Sequence, residues 1–87
     1  MTQVIRGVVR DPEGSPVAQA RVFIAEGPVP VPDVAILTDD RGEFALAAPE
    51  PGTYRLACSA EGFAQGSESV EAGGQQTHVE IRLGRRP

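Results

Sequence analysis

Residues Thr38 to Tyr54 read T-D-D-R-G-E-F-A-L-A-A-P-E-P-G-T-Y, and the period of this stretch decides the fold. After Gly42, Phe44 and Leu46 share one face while Glu43, Ala45 and Ala47 take the other. After Gly52, Tyr54, Leu56, Cys58 and Ala60 point inward, with Thr53, Arg55, Ala57 and Ser59 outward. A period of two with one apolar face is the signature of half-buried β-strands. Asp39 stands three residues before Gly42, so its carboxylate can accept backbone N–H groups across a tight turn while Gly42 takes positive φ. Pro49, Pro51 and Gly52 break the chain again, because proline removes donors that a ladder needs. The stretch is therefore read as a β-meander with one dry face.

The same reading extends outward. Ile5, Gly7 and Val9 alternate with Arg6, Val8 and Arg10, and a glycine in mid-strand signals a bulge or a close backbone approach. D-P-E-G at Asp11 to Gly14 is a turn like the one at Asp39–Gly42, and Ser15-Pro16-Val17 continues as an extended link. Ala20, Val22 and Ile24 face in, Arg21 and Phe23 out. Pro28, Pro30 and Pro32 at spacing two make Glu26 to Asp33 a polyproline-type loop, and a short strand spans Ala35 to Thr38. Glu61-Gly62-Phe63 forms a corner with Phe63 folded back as a plug. Gln65 to Glu71 is a polar edge strand, guarded from aggregation by its charges and serines. Ala72 to Gln75 turns the chain, and the last strand sets Val79, Ile81 and Leu83 in, with His78, Glu80 and Arg82 out. Residues 84–87 are expected to be a tail.

This gives seven strands with turns roughly every 8–12 residues and no helical period, the pattern of an antiparallel two-sheet sandwich. At 87 residues the chain is read as one domain, with its core in about residues 4–83. A domain of this size buries only about 60–65% of its unfolded surface. Ten glycines and eight prolines accord with many turns. No stretch has the roughly 18 apolar residues of a membrane span, nor the charged-then-apolar opening of a signal peptide. The chain as written is thus expected to be soluble and cytoplasmic, unless it travels with another protein.

A net charge of −4, with eight arginines scattered among twelve acids, argues against nucleic acid as a partner. Cys58, the single cysteine, is in core phase and forms no internal disulfide. Asp39, Asp40 and Glu43, or Asp11 and Glu13, supply carboxylates, yet their spacing does not match a calcium loop and Arg41 interrupts them. Capping of the two turns accounts for Asp11 and Asp39, and no cofactor or metal is expected. His78 is the lone histidine and takes an outward phase. A hydrolase would need Ser59, Ser67 or Cys58 brought beside it, and no G-x-S-x-G elbow is present.

The ordered motifs Ile5-x-Gly7-x-Val9-x-Asp11-x-x-Gly14-x-Pro16-Val17-x-x-Ala20-x-Val22, Thr38-Asp39-x-x-Gly42-x-Phe44, Pro51-Gly52-x-Tyr54-x-Leu56 and Gly62-Phe63 resemble the carboxypeptidase regulatory-like domain. The resemblance implies an all-β, seven-stranded antiparallel Greek-key sandwich of prealbumin (transthyretin-like) type. It also implies a non-catalytic accessory module of peptidases, outer-membrane receptors and secreted or surface proteins, often extracellular or periplasmic, with no shared active site. Asp11, Gly14, Asp39, Gly42 and Gly52 carry the match as turn residues. Two relatives of that sandwich are ruled out by composition. The hydroxyisourate hydrolases work with several histidines and a Y-R-G-S ending, against one histidine and L-G-R-R-P here. The isopeptide bond of related adhesin domains needs lysine and asparagine, and the chain has neither.

Two binding readings stay open. Carbohydrate modules usually present an aromatic platform, but tryptophan is absent and only Phe23 points outward, which leaves polar loops for a sugar. For a protein partner, or self-association, Val8 and Phe23 take the outward phase on segments able to pair across a first hairpin, flanked by Arg6, Arg10 and Arg21. An exposed aromatic among arginines has the composition of an interface anchor. The Pro28–Pro30–Pro32 loop is a second candidate contact, stiff and so inexpensive to immobilise.

Overall fold

The structure, a computed structural model, describes residues 3–30, 35–73 and 77–85. The strands are β1 (Gln3–Arg10), β2 (Arg21–Glu26), β3 (Ile36–Leu37), β4 (Glu43–Ala48), β5 (Gly52–Ser59), β6 (Phe63–Ala64), β7 (Gly66–Ala72), β8 (Thr77–Arg82) and β9 (Gly84–Arg85). Seven of them form a three-stranded sheet, β4-β1-β8, packed on a four-stranded sheet, β3-β2-β5-β7. The alternation seen in the sequence is the alternation of burial. Ile5, Val9, Val22, Tyr54, Leu56, Cys58 and Ile81 are fully buried between the sheets, joined by Phe44, Leu46 and Leu83. Among the described residues β7 pairs only with β5 and is an edge, as its polar sequence indicates.

Gly7 lies in an unbroken ladder, opposite Phe44. A Cβ there would stand 2.5 Å from Cζ of the Phe44 ring and would also collide with the Val79 carbonyl, so the glycine is a close approach and not a bulge. The two D-x-x-G corners are built alike. Asp39 Oδ1 accepts the N–H groups of Arg41 and Glu43, each at 2.9 Å, and Asp11 Oδ1 accepts those of Glu13 at 3.0 Å and Ser15 at 2.8 Å. Gly42 (φ 73) and Gly14 (φ 90) close them. Only the second corner is packed. The Gly42 carbonyl accepts the Val9 N–H at 2.8 Å, and a Cβ on Gly42 would lie 2.7 Å from the Val9 carbonyl and 3.0 Å from the Val17 nitrogen.

Three expectations are corrected. The pairing of β1 with β8 is parallel, not antiparallel, because the two strands are the first and last of the sandwich and no hairpin joins them. Residues 84 and 85 of the expected tail are paired: Gly84–Arg85 lies antiparallel to Phe63–Ala64 as a separate ribbon, bringing the strands among the described residues to nine, and residues 86 and 87 lie outside the described residues. Thirdly, β1 and β2 form no hairpin. Their connection starts one, with a single Arg10–Pro16 bridge closed by the Val17 N–H donating to the Val9 carbonyl at 2.9 Å, but beyond Val9 that edge of β1 is already occupied by β4. Gln19 then takes a left-handed φ of 59°, and the chain crosses to the other sheet.

The crossing is held by Thr38, which is buried. Its hydroxyl donates to the Val17 carbonyl at 2.6 Å and accepts the Ala20 N–H at 2.9 Å.

The contrast between the corners predicts unequal glycine costs. Gly14→Ala meets open space and should cost about 1–2 kcal/mol for its backbone conformation alone. Gly42→Ala meets backbone atoms as well and should cost about 1–3 kcal/mol more, measured by chemical denaturation. Equal losses would contradict this account of the packed corner.

The backbone N–H groups of Glu43 and Arg41 hold the Asp39 carboxyl below its ordinary 3.8. The unfolded chain therefore takes up the proton first on acidification, so this stabilisation is complete above about 3.8 and is lost as pH falls through the lower native value. Asp39→Asn, which keeps an acceptor oxygen, should flatten the acid limb of a denaturation-midpoint-against-pH curve. An unchanged limb would assign it to other carboxylates.

Candidate functional site

With β1 and β2 in different sheets, the expected patch divides. Val8 faces outward from the three-stranded sheet, opposite Glu43 on one side and Glu80 on the other. Arg10 is committed there: its Nε pairs with Glu80 at 2.9 Å and its Nη1 donates to the Gly14 carbonyl at 2.9 Å. Phe23 and Arg21 belong to the outer face of the four-stranded sheet, on the far side of the core. The period of two encodes which side chains face inward and is silent about which sheet a strand joins.

On that second face the register builds a surface around Arg21. Leu37 lies directly opposite Arg21 on one side and Ser59 on the other. Leu37 is 61% exposed, the higher of the two exposed large hydrophobic residues found among those described. Arg21 is exposed, and its guanidinium has no ion pair or hydrogen bond among the described residues, whereas Arg55, Arg82 and Arg85 are all paired. In the next row Phe23 faces Ala57. Ala57 is 3% exposed despite its outward phase and Phe23 is half-buried, so this aromatic is partly withdrawn from solvent.

Arg21 and Ser59 also line an open cleft of about 650 Å³ at the end of the sandwich, with Gln19, Glu61, Phe63 and Gln65. The crossing at Gln19 forms one wall. Strand β6 forms the other, with Phe63 packed against the core, and is held by β9, whose Arg85 pairs with Glu13 of the first corner. The cleft offers a guanidinium, a carboxylate, two amides, a hydroxyl and an aromatic ring. Sequence reading missed it, since Gln19 is placed by a long-range bond to Thr38 and the ribbon strands are only two residues long. The one available signal was the run Leu83-Gly84-Arg85, which continues the strand without a turn motif.

The remaining candidates fall elsewhere. Pro28 and Pro30 are exposed, with the Pro28 ring over Gly52, while Pro32 lies outside the described residues. Cys58 is a buried core residue whose thiol is pushed up to about 11 by burial, which keeps it protonated and unreactive near neutral pH. His78 is exposed on the three-stranded sheet, opposite Arg6. Ser59 and Ser67 lie on the other sheet, and Cys58 points into the core, so the fold keeps the imidazole apart from every nucleophile considered with it.

Comparison with known proteins places this architecture. The chain superposes on catechol 1,2-dioxygenase from Acinetobacter sp. ADP1, in a structure inhibited by bound mercury, with a TM-score of 0.75 at 12% identity; the match covers 99% of this chain and 53% of that one. It superposes on 3-chlorocatechol 1,2-dioxygenase from Rhodococcus opacus 1CP with a TM-score of 0.66 at 17% identity, covering 98% and 60%. A DUF3823 family protein from Parabacteroides merdae ATCC 43184 gives 0.70 at 17% identity, covering 97% and 46%. At these identities the likeness is one of fold, and the chain spans about half the length of each protein. No curated protein matches the chain. Residues 4–84 match the model of the carboxypeptidase regulatory-like domain, which takes in every strand but the ends of the first and last, and the chain belongs to that family.

Proposed function

We propose that the chain is a non-catalytic accessory β-sandwich that docks a protein partner through the outer face of its four-stranded sheet, around Arg21 and Leu37. The observation that carries this reading is the pairing of an unpartnered guanidinium with a 61%-exposed leucine in one cross-strand row. Leaving that leucine in water forgoes the roughly 2 kcal/mol that full burial of such a side chain provides, and a partner restores it. Arginine supplies directional donors beside an apolar contact, the composition of interface hot spots. Phe23 adds apolar area at the rim of this patch. The exposed Pro28 and Pro30 remain a secondary contact. The regulatory-like family and the separation of His78 from the serines and Cys58 support the non-catalytic part of the reading.

Leu37→Ser and Arg21→Glu should each leave the melting midpoint nearly unchanged. Each should also reduce the protein recovered with the tagged chain from its native cell by about tenfold, the equivalent of roughly 1.4 kcal/mol. Val8→Ser, on the other sheet, should have no such effect. Equal recovery with all three variants would remove this face from consideration.

A second reading has its own observation, the end cleft. Amide, guanidinium and carboxylate groups are suited to hydrogen-bond sugar hydroxyls, and the Phe63 ring among them to stack on a pyranose face. Titration with oligosaccharides should then shift the backbone resonances of Gln19, Phe63 and Gln65 together. Shifts absent at millimolar sugar would leave the protein-docking reading alone.

A further inference from the structure

Of the sheet edges, that of β4 carries no protection among the described residues. β7 is lined by Ser67, Glu68, Ser69 and Glu71, β8 by His78, Glu80 and Arg82, and β3 is two residues long. Between Glu43 and Glu50, β4 has no charged residue, and its outward side chains are the exposed Ala45 and Ala47. Beside Ala47 stands Val4, which is 38% exposed. Flat apolar edges invite strand pairing, and native proteins usually guard them with charge.

The hydrogen bonds show which groups are open. Val9 donates to the Gly42 carbonyl, and that pair fixes the alternation along the ladder. Phe44, Leu46 and Ala48 accordingly direct their backbone groups to β1, while Glu43, Ala45 and Ala47 direct theirs away. Both Glu43 groups are used by the corner: its N–H donates to Asp39 Oδ1 and its carbonyl accepts the Asp39 N–H. Ala45 and Ala47 are left with donors and acceptors facing the open side, and no described residue outside the ladder bonds them.

We propose that β4 pairs antiparallel with β4 of a second copy of this chain, with Leu46 on the two-fold axis. In this register Ala45 of each copy exchanges both of its backbone bonds with Ala47 of the other, so every open group finds a partner. Moving the axis to Ala45 would set Ala47 against Glu43, whose groups the corner already occupies. The two-fold arrangement is closed, so it yields a dimer and not a fibre. Leu46 meets Leu46 and Phe44 meets Ala48 on the inner side, which joins the two cores. Charge favours this edge as well: each copy carries −4, and here acids are missing while Arg6 lies alongside, opposite Ala45. Carried past the strand ends, the register brings Glu50 of one copy to the corner of the other, where Arg41 has no ion-pair partner among the described residues. This inference rests on observations other than those that carry the docking face around Arg21.

A contact this small should associate in the micromolar-to-millimolar range. Sedimentation equilibrium of the full chain should show the average mass rising from one chain toward two between about 10 μM and about 1 mM. Ala45→Lys combined with Ala47→Lys should remain a monomer throughout, and so should Ala47→Pro, which removes an outward N–H and no bond to β1. In the concentrated wild type, hydrogen exchange at Ala45 and Ala47 should slow several-fold relative to dilute protein, while Phe44 and Leu46 are slow at both concentrations. A wild type that stays monomeric, folded variants that dimerise as it does, or a dimer with unchanged exchange at Ala45 and Ala47 would each overturn the proposal. The exchange measurement decides the matter even where a variant does not fold.

Discussion

The hydrogen bond from the Val9 N–H to the Gly42 carbonyl sits where both sheets are tied together. Thr38 ends the strand segment of the four-stranded sheet, and Glu43 begins β4 in the three-stranded one, so the corner between them is a crossing of the sandwich. Asp39 shapes that crossing with one carboxylate oxygen, and Gly42 lets it lie directly on the backbone of Val9 and Val17. Thr38 anchors a second crossing, residues 17–20, through its buried hydroxyl. A one-residue slip of β4 would turn Phe44 and Leu46 to solvent and expose Ala45 and Ala47 to the core. The corner is thus where strand register is decided, and the glycine under the Phe44 ring is placed for the register it sets.

Most of the core was legible in the sequence for one reason: burial in a strand follows a period that side chains display directly. Ile5 to Val9 and Phe44 to Leu46, together with Tyr54, Leu56, Cys58, Ile81 and Leu83, sit as their phase indicates, while Ala57 is buried against its phase. Strand direction and sheet membership leave no such trace. The parallel register of β1 on β8 preserves the same inward and outward residues as an antiparallel one would, and the alternation of Val8 and Phe23 is the same in one sheet or two. Pro16 gave no sign of where the hairpin stops, because its limit is set by β4 occupying the edge of β1 beyond Val9. The left-handed turn that completes the crossing falls on Gln19, a residue with no preference for that conformation. The β6–β9 ribbon is too short to show any period.

The surface was less legible than the core, because exposed positions answer to no packing constraint. Arg21 and Phe23 were identified by phase, yet Leu37 carries more exposed apolar area than Phe23 and drew no notice within a two-residue strand. The cleft depends on contacts between segments far apart in the chain: Gln19 with Thr38, Phe63 with Arg85, Arg85 with Glu13. Exposed ion pairs of this kind contribute less than about 1 kcal/mol each, so they shape the surface more than they stabilise the fold. The directional polar groups with structural duties, those of Asp11, Thr38, Asp39 and Tyr54, are spent on backbone partners. The proposed docking falls to side chains that the fold does not use.

The proposed β4 pairing and the Arg21 face bear on each other through one residue. Strand addition extends the three-stranded sheet in its own plane, so Arg21, Ser59 and the end cleft stay open on both copies. Leu37 differs, because with Ile36, Ala45 and Phe44 it lines a groove of about 310 Å³ beside the free edge of β4. A second copy seated on β4 lies along that groove. A ligand held by the cleft alone is therefore compatible with the pair, and one with two epitopes able to span both clefts would gain avidity. A protein that rests on Leu37 competes with the second copy, and by linkage each weakens the other's binding by the same factor. On these two proposals either occupant would cover Leu37, and a copy paired on β4 would exclude the other.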